Sequence, residues 1–307
     1  MYQPRKISRS EFVPIRHLSY HVRIWGEPGA GRVPLVLVHG WMDVAASWQF
    51  MVDALAQDHY VIAPDWRGYG LTGADSPPVD NYWFADYLAD LDFLLDHYSP
   101  EQPVHLVGHS MGGNVAMLYA GSRPQRIRRL VNLEGFGLAA SRPEQAPRRY
   151  ARWMDEIKAL HRGETALKRY DSAAGVATRL MKTNPRLGQD QAGWLARHWA
   201  RPDPDGQWRI LDDPAHKIIS ANLYRVDEAL ELYRSITAPT LAVEASENQL
   251  DQWWQGKFTL AEYHERLKSV PNVVRGQISD AGHMLHHDQP EALAQMIENF
   301  LDNPRAC

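Results

Sequence analysis

The chain has 307 residues, 44% hydrophobic and 23% charged, enough to bury one large core and carry an insertion. Its net charge is −4 at pH 7 and it has no block of basic residues, which argues against a nucleic-acid partner. The single cysteine, Cys307, excludes a disulfide within the chain. Residues 1–6 lack the apolar stretch of a signal peptide and no apolar run is long enough to span a membrane, so a cytoplasmic protein is expected.

Residues 1–14 read as an irregular lead-in. Leu18, Tyr20, Val22 and Ile24 then alternate as in a half-exposed strand, and 33–38 is the near-continuous apolar run of a strand buried on both faces, ending in His39-Gly40-Trp41. Trp48, Met51, Val52 and Leu55 predict a helix over 47–57. A strand over 60–63 runs into the loop Pro64-Asp65-Trp66-Arg67-Gly68-Tyr69-Gly70. Asp80 is a candidate cap for the next helix, whose buried stripe is Phe84, Tyr87, Leu88, Leu91, Leu94 and Leu95.

The segment after that organises the rest. An apolar run over 104–107 meets Gly108-His109-Ser110-Met111-Gly112, and a helical pattern follows to Gly121. A strand turning this sharply into a helix strains the corner serine and lifts its hydroxyl clear of the sheet. Glycine is required at 108 and 112 because a Cβ there would strike neighbouring backbone. The same turn aims the N–H of Met111 at a point where an oxyanion would form.

A short strand over 129–133 ends in Glu134-Gly135-Phe136-Gly137. From 138 to 235 the pattern is helical, rich in arginine and tryptophan and without a convincing strand. Its stripes are Tyr150/Trp153/Met154/Ile157, Val176/Leu180/Met181 and Trp194/Leu195/His198/Trp199. Strands return over 240–243 and 273–278. Between them a helix starts near Thr259, with Glu262 completing a capping box, and a last helix starts at Pro290. Strands alternating with helices predict an α/β protein with a mainly parallel sheet. Its core comprises 1–137 and 236–307, and 138–235 is a helical insertion.

His39-Gly40-Trp41, Asp65-x-Arg67-Gly68-x-Gly70, Gly108-His109-Ser110-Met111-Gly112-Gly113 and Gly282-His283, in this order and spacing, resemble the α/β-hydrolase fold superfamily along nearly the whole chain. The resemblance implies an eight-stranded sheet flanked by helices, with a helical cap at 138–235. It also implies a serine hydrolase with a Ser-His-acid triad, acting on a small-molecule carboxylic ester. Thioester, lactone or carbon–carbon bond hydrolysis, or non-catalytic small-molecule binding, are the alternatives.

Elementary chemistry assigns the roles. Ser110 is a poor nucleophile until a base takes its proton, and an imidazole suits that task near neutral pH. His283, in the loop after the last strand, is the expected base; His286 and His287 are expected to be solvent-facing or structural. The acid is the open member. The position at which most of the family carries aspartate is Asn248, which cannot hold a negative charge. A minority takes the acid from the end of the preceding sheet strand, here Glu134, and Glu134 is favoured over the alternative acid Glu247. The N–H groups of Trp41 and Met111 are the expected oxyanion donors. Trp41, His109, Trp153, Trp194 and Trp199 are expected to border the substrate pocket, with Trp208 a further candidate; Asp65 and Arg67 should brace a loop. There is no clustered His/Cys ligand set along the sequence and no dinucleotide fingerprint, so neither metal nor organic cofactor is expected. The expected partner is a small-molecule substrate, with the protein a monomer or a homodimer.

Overall fold

The computed structural model describes residues 2–72 and 78–303; Cys307 lies outside them. Six strands precede the segment 138–235: β1 (Arg9–Ile15), β2 (Leu18–Trp25), β3 (Leu35–Val38), β4 (Val61–Pro64), β5 (Val104–His109) and β6 (Ile127–Leu133). That segment contains β7 (Arg169–Tyr170), β8 (Ala200–Pro202) and β9 (Trp208–Ile210), and β10 (Thr240–Ala245) and β11 (Val273–Ile278) follow it. The main sheet has eight strands in the order β1-β2-β4-β3-β5-β6-β10-β11. It is antiparallel at β1-β2 and β2-β4 and parallel from β4 onward. This is the α/β architecture that the sequence predicts.

The helices are α1 (Gln49–Ala54), α2 (Phe84–Tyr98), α3 (Met111–Ser122), α4 (Ala146–His161), α5 (Ala173–Thr183), α6 (Gln189–Trp199), α7 (Val226–Arg234), α8 (Leu250–Trp253), α9 (Leu260–Leu267), α10 (Leu285–Asp288) and α11 (Pro290–Asp302). Leu91 and Leu94 of α2, Val115 of α3, Tyr233 of α7 and Tyr263 of α9 cover one face of the sheet. Met51 of α1, Leu285 of α10 and Leu293, Ile297 and Phe300 of α11 cover the other. A strand buried on both faces has no polar side to show, which is why β3 and β4 read as unbroken apolar runs.

The structure differs from the sequence reading at several places. The lead-in contains β1, which closes the edge of the sheet; it carries Pro14, and an edge strand tolerates a residue that cannot donate to a ladder. The helix expected over 47–57 is a 3₁₀ turn at Ala45–Trp48 followed by α1. Asp80 does not cap α2, whose N-cap residue is Trp83. The segment 138–235 contains the small antiparallel sheet β7-β9-β8. Its strands have only two or three residues, too short for a period-two signal. α5, α6 and this sheet pack on Val44, Ala46 and Phe50 as a third apolar cluster. α7 joins the main core instead, since Leu232 runs so close to Gly121 of α3 that a Cβ there would lie 2.2 Å from its carbonyl oxygen.

Candidate active site

Ser110 occupies the turn from β5 into α3 with φ 52° and ψ −115°. A non-glycine residue there stores roughly 1–3 kcal/mol of strain and persists only where its surroundings hold it. The main chain holds it: Ser110 N–H donates to the Leu133 carbonyl at 2.8 Å, and Asn114 N–H to the Ser110 carbonyl at 3.0 Å. The crossing is tight. A Cβ on Gly108 would stand 2.3 Å from the Gly112 oxygen, and one on Gly112 2.3 Å from the Val38 oxygen.

Register brings the acid to the same height. Leu133 pairs with His109 on one side and with Val243 on the other, so the residues following β5 and β6 leave the sheet together. Glu134 has φ 55°, and its N–H donates to the Val243 carbonyl at 3.0 Å. The side chain of Asn132 clamps the turn, accepting from Gly135 N–H at 3.0 Å and donating to the Gly135 carbonyl at 2.9 Å. Asn132 is a positioning residue the sequence reading missed; its signal is an amide inside an otherwise apolar strand.

Glu134 is 2% exposed. Its Oε1 accepts from Ala245 N–H at 2.8 Å, and its Oε2 lies 3.1 Å from His283 Nδ1. Burial pushes the Glu134 carboxyl up to about 8, the Ala245 N–H opposes this, and nearby Glu244 adds to it. Burial likewise lowers His283 to about 4. Each shift disfavours charge on one partner alone. A proton on His283 beside ionised Glu134 makes a neutral pair, so each charge stabilises the other. With Nδ1–H facing the carboxylate, Nε2 keeps a lone pair. Trp253 sets its ring edge-on to the His283 ring at 4.6 Å while 46% exposed. It too escaped the sequence reading, which assigned no helix at α8.

The His283 loop is anchored from both sides. His109 Nε2 donates to the His283 carbonyl at 2.8 Å. Gly282 N–H donates to Asp288 Oδ2 at 2.8 Å, and Asp288 Oδ1 accepts from Asn184 at 2.7 Å. On the other flank of the serine, a Cβ on Gly40 would stand 3.1 Å from both Ser110 Cβ and His109 Nδ1. That brings the chain leading to Trp41 against the serine turn. Met111 opens α3, where first-turn N–H groups have no acceptor within the helix.

Several of the other expected site residues pack away from the serine turn. Glu247 is 59% exposed at its side chain and pairs with Arg186 at 2.5 Å. Asn248 turns inward on its own loop, accepting from Leu250 N–H and donating to the Ala245 carbonyl, each at 3.4 Å. His286 and His287 are buried rather than solvent-facing, between Trp48 and Phe50. His109 is buried beneath the His283 loop. Trp194 packs against Tyr2, Phe50 and His198, and Trp199 is buried with its Nε1 donating to Ser47 Oγ at 3.4 Å; both, with Trp208, belong to the third apolar cluster. Tryptophan supplies much of the area that holds this segment to Val44–Phe50, and periodicity does not distinguish that use from a pocket wall. Trp41 is 52% exposed, and Trp153 is half-buried against Trp83. Asp65 and Arg67 both act within loops. Asp65 accepts from Ala45 and Leu71 N–H and contacts His21, and Arg67 makes a bidentate pair with Asp90 at 2.6 and 2.7 Å. A cavity of about 380 Å³ lined by Lys6, Trp25, Arg32, His59 and Val61 opens at the opposite end of β4 and takes no part in this site.

An eight-stranded sheet of this order, with a strained serine at the turn after its fifth strand, defines an α/β hydrolase. Residues 33–290 match the alpha/beta hydrolase fold family, and the chain belongs to it. Among its relatives, a serine hydrolase-like protein of Danio rerio is 25% identical over 297 residues, covering 95% of this chain and 88% of that one. A cis-3-alkyl-4-alkyloxetan-2-one decarboxylase of Shewanella oneidensis is 26% identical over 276 residues, covering 87% and 81%. A thioesterase domain from the curacin biosynthetic pathway superposes with a TM-score of 0.81 at 24% identity, covering 95% of this chain and 99% of that domain. No helix among the described residues is long and apolar enough to cross a membrane.

Proposed function

We propose that the protein is a serine hydrolase that cleaves a small-molecule carboxylic ester. In this reading Ser110 is the nucleophile, His283 the base and Glu134 the orienting acid, with the N–H groups of Trp41 and Met111 as oxyanion donors. The observation that carries it is the 3.1 Å contact between His283 Nδ1 and the buried Glu134 carboxylate, at the level of the strained serine. Kinship with a serine hydrolase-like relative supports the nucleophile.

The chemistry follows from the resting state. Burial keeps His283 neutral, so its Nε2 can accept the Ser110 proton as Oγ attacks the acyl carbon. The imidazolium forms beside Glu134 and is stabilised by it, while the carbonyl oxygen takes up negative charge before the two N–H groups. Collapse breaks the ester bond; the departing alkoxide takes the proton from His283 and leaves as the alcohol. Water then attacks the acyl-serine with the same base, releasing the carboxylic acid and restoring Ser110. The segment 138–235 is read as the cap over this site. The exposed faces of Trp41 and Trp253 suit apolar groups on the ester.

A fluorophosphonate probe tests the nucleophile. The wild type should be labelled at Ser110, by mass spectrometry, and Ser110→Ala should not react. Labelling elsewhere, or none in folded wild type, overturns the reading.

A further inference from the structure

Three buried side chains from distant parts of the chain face one another beside the serine turn. Asp43 comes from the loop after β3, His109 from the last position of β5 and His286 from α10. None is more than 3% exposed. One donor atom from each lies within 4.8 Å of the other two, and His286 Nε2 stands 3.9 Å from Asp43 Oδ2, too far for a hydrogen bond. Asp43 Oδ2, His109 Nδ1 and both ring nitrogens of His286 have no hydrogen-bond partner. Buried polar atoms are rarely left so, because each has lost its water.

The protonation pattern identifies what is missing. His109 Nε2 faces the His283 carbonyl at 2.8 Å, and a carbonyl only accepts, so Nε2 carries the hydrogen and Nδ1 presents a bare lone pair. Asp43 Oδ1 already accepts from Val44 N–H at 2.8 Å and from the Ser47 hydroxyl, and Oδ2 is the oxygen that faces His286. A neutral His286 adds one further lone pair. With His286 turned to present that lone pair, all three side chains offer an acceptor to one point. A cation satisfies all three.

We infer that Asp43, His109 and His286 form a site for one divalent transition-metal ion of the zinc class. Two imidazoles and one carboxylate are the donor set such ions prefer over magnesium or calcium. The outer contacts also fit. A metal-bound histidine typically gives its other N–H to a carbonyl, as His109 does, and a metal-bound carboxylate is steadied by hydrogen bonds, as Asp43 is by Val44 and Ser47. Bonds of about 2.0–2.2 Å place ligand atoms roughly 3.4 Å apart in a tetrahedral site, so atoms now within 4.8 Å of one another need to close by at most about 1.4 Å. No ligand triplet is apparent along the sequence because the members are far apart, at 43, 109 and 286. The site stands whether or not Ser110 is a nucleophile. The ion would, however, tie the strand ending at His109, and through it the His283 carbonyl, to the loop after β3.

The protein is produced in zinc-supplemented and in chelator-treated medium, because buried ligands load poorly from outside. Bound metal is counted by mass spectrometry, and the Co²⁺ form is examined for visible ligand-field bands. We expect one equivalent of Zn²⁺ per chain and a higher melting temperature than in the metal-free protein. Asp43→Asn and His286→Gln should weaken binding by at least about 100-fold, whereas Ser110→Ala and His264→Gln, the latter a partly exposed histidine outside the cluster, should retain the ion. Crystals of the zinc-loaded wild type should show anomalous density among the three donor atoms, which decides the matter if a ligand variant fails to fold. No stoichiometric ion in the wild type, anomalous density elsewhere, or unchanged binding in folded His286→Gln overturns the site.

Discussion

At the carboxyl ends of β5, β6 and β10, main-chain geometry sets the positions of Ser110 and Glu134, the proposed nucleophile and acid. Ser110 and Glu134 follow residues paired across adjacent strands, and the Leu133, Val243 and Ala245 peptides hold both turns. Segment 138–235 is built by other means: Trp194, Trp199, Leu195 and Val176 attach it to Val44, Ala46 and Phe50 by apolar contact. Backbone geometry fixes direction to fractions of an ångström, whereas apolar packing fixes area and volume. Substitutions at these strand ends should therefore change chemistry with little cost in stability, and those in the segment the reverse.

The largest expected effect is at the carboxyl ends of the strands. His283→Ala should lower kcat/KM on p-nitrophenyl acetate by about 10⁴–10⁶-fold, because removing the base disables the nucleophile. Its urea midpoint should move little, since the lost ring is partly open to solvent. A melting change larger than the activity change would erase the contrast. Trp199→Ala sharpens it from the other side. Truncating this buried ring should cost about 3–5 kcal/mol in denaturant unfolding, while kcat of the folded fraction on the same small ester stays within about tenfold. A loss of kcat with unchanged stability would return Trp199 to the pocket.

A smaller effect covers the whole chain. Burial lowers His39, His105 and His198 to about 4 and His216 and His287 to about 3. An unfolded histidine titrates near 6.5. Between about pH 6.5 and 4 the unfolded chain therefore binds more protons than the native one, and stability falls on acidification. Burial raises Asp212 to about 8, and Asp288 to a lesser degree; these act oppositely, losing stability as pH rises. These five imidazoles outweigh the two carboxyls and leave a net loss toward acid and a maximum near pH 6.5. Chemical denaturation from pH 4 to 8 checks this; a maximum at pH 5 or below would contradict it.

The same division explains what the sequence made legible. β3, β4 and β5 carry near-continuous apolar patterns, and the serine turn carries glycines with no other use, so the centre of the sheet and the Ser110 turn could be read directly. β1 hid behind Pro14, β7–β9 were too short to show a period, and Trp194 and Trp199 have the spacing of a buried stripe whichever cavity they face. Glu134 was legible because a carboxylate ends a run of buried residues. Trp253 and the trio of Asp43, His109 and His286 were not, because tertiary folding alone brings them to the site.

In the proposed triad a buried carboxylate after β6, rather than one after β10, orients the base. The most direct measurement is turnover of p-nitrophenyl acetate by Glu134→Gln and Glu247→Gln side by side. The geometry predicts a loss of about 10³–10⁴-fold for Glu134→Gln and less than about twofold for Glu247→Gln, whose side chain is exposed and paired with Arg186. The reverse ranking, or wild-type turnover in Glu134→Gln, would contradict it.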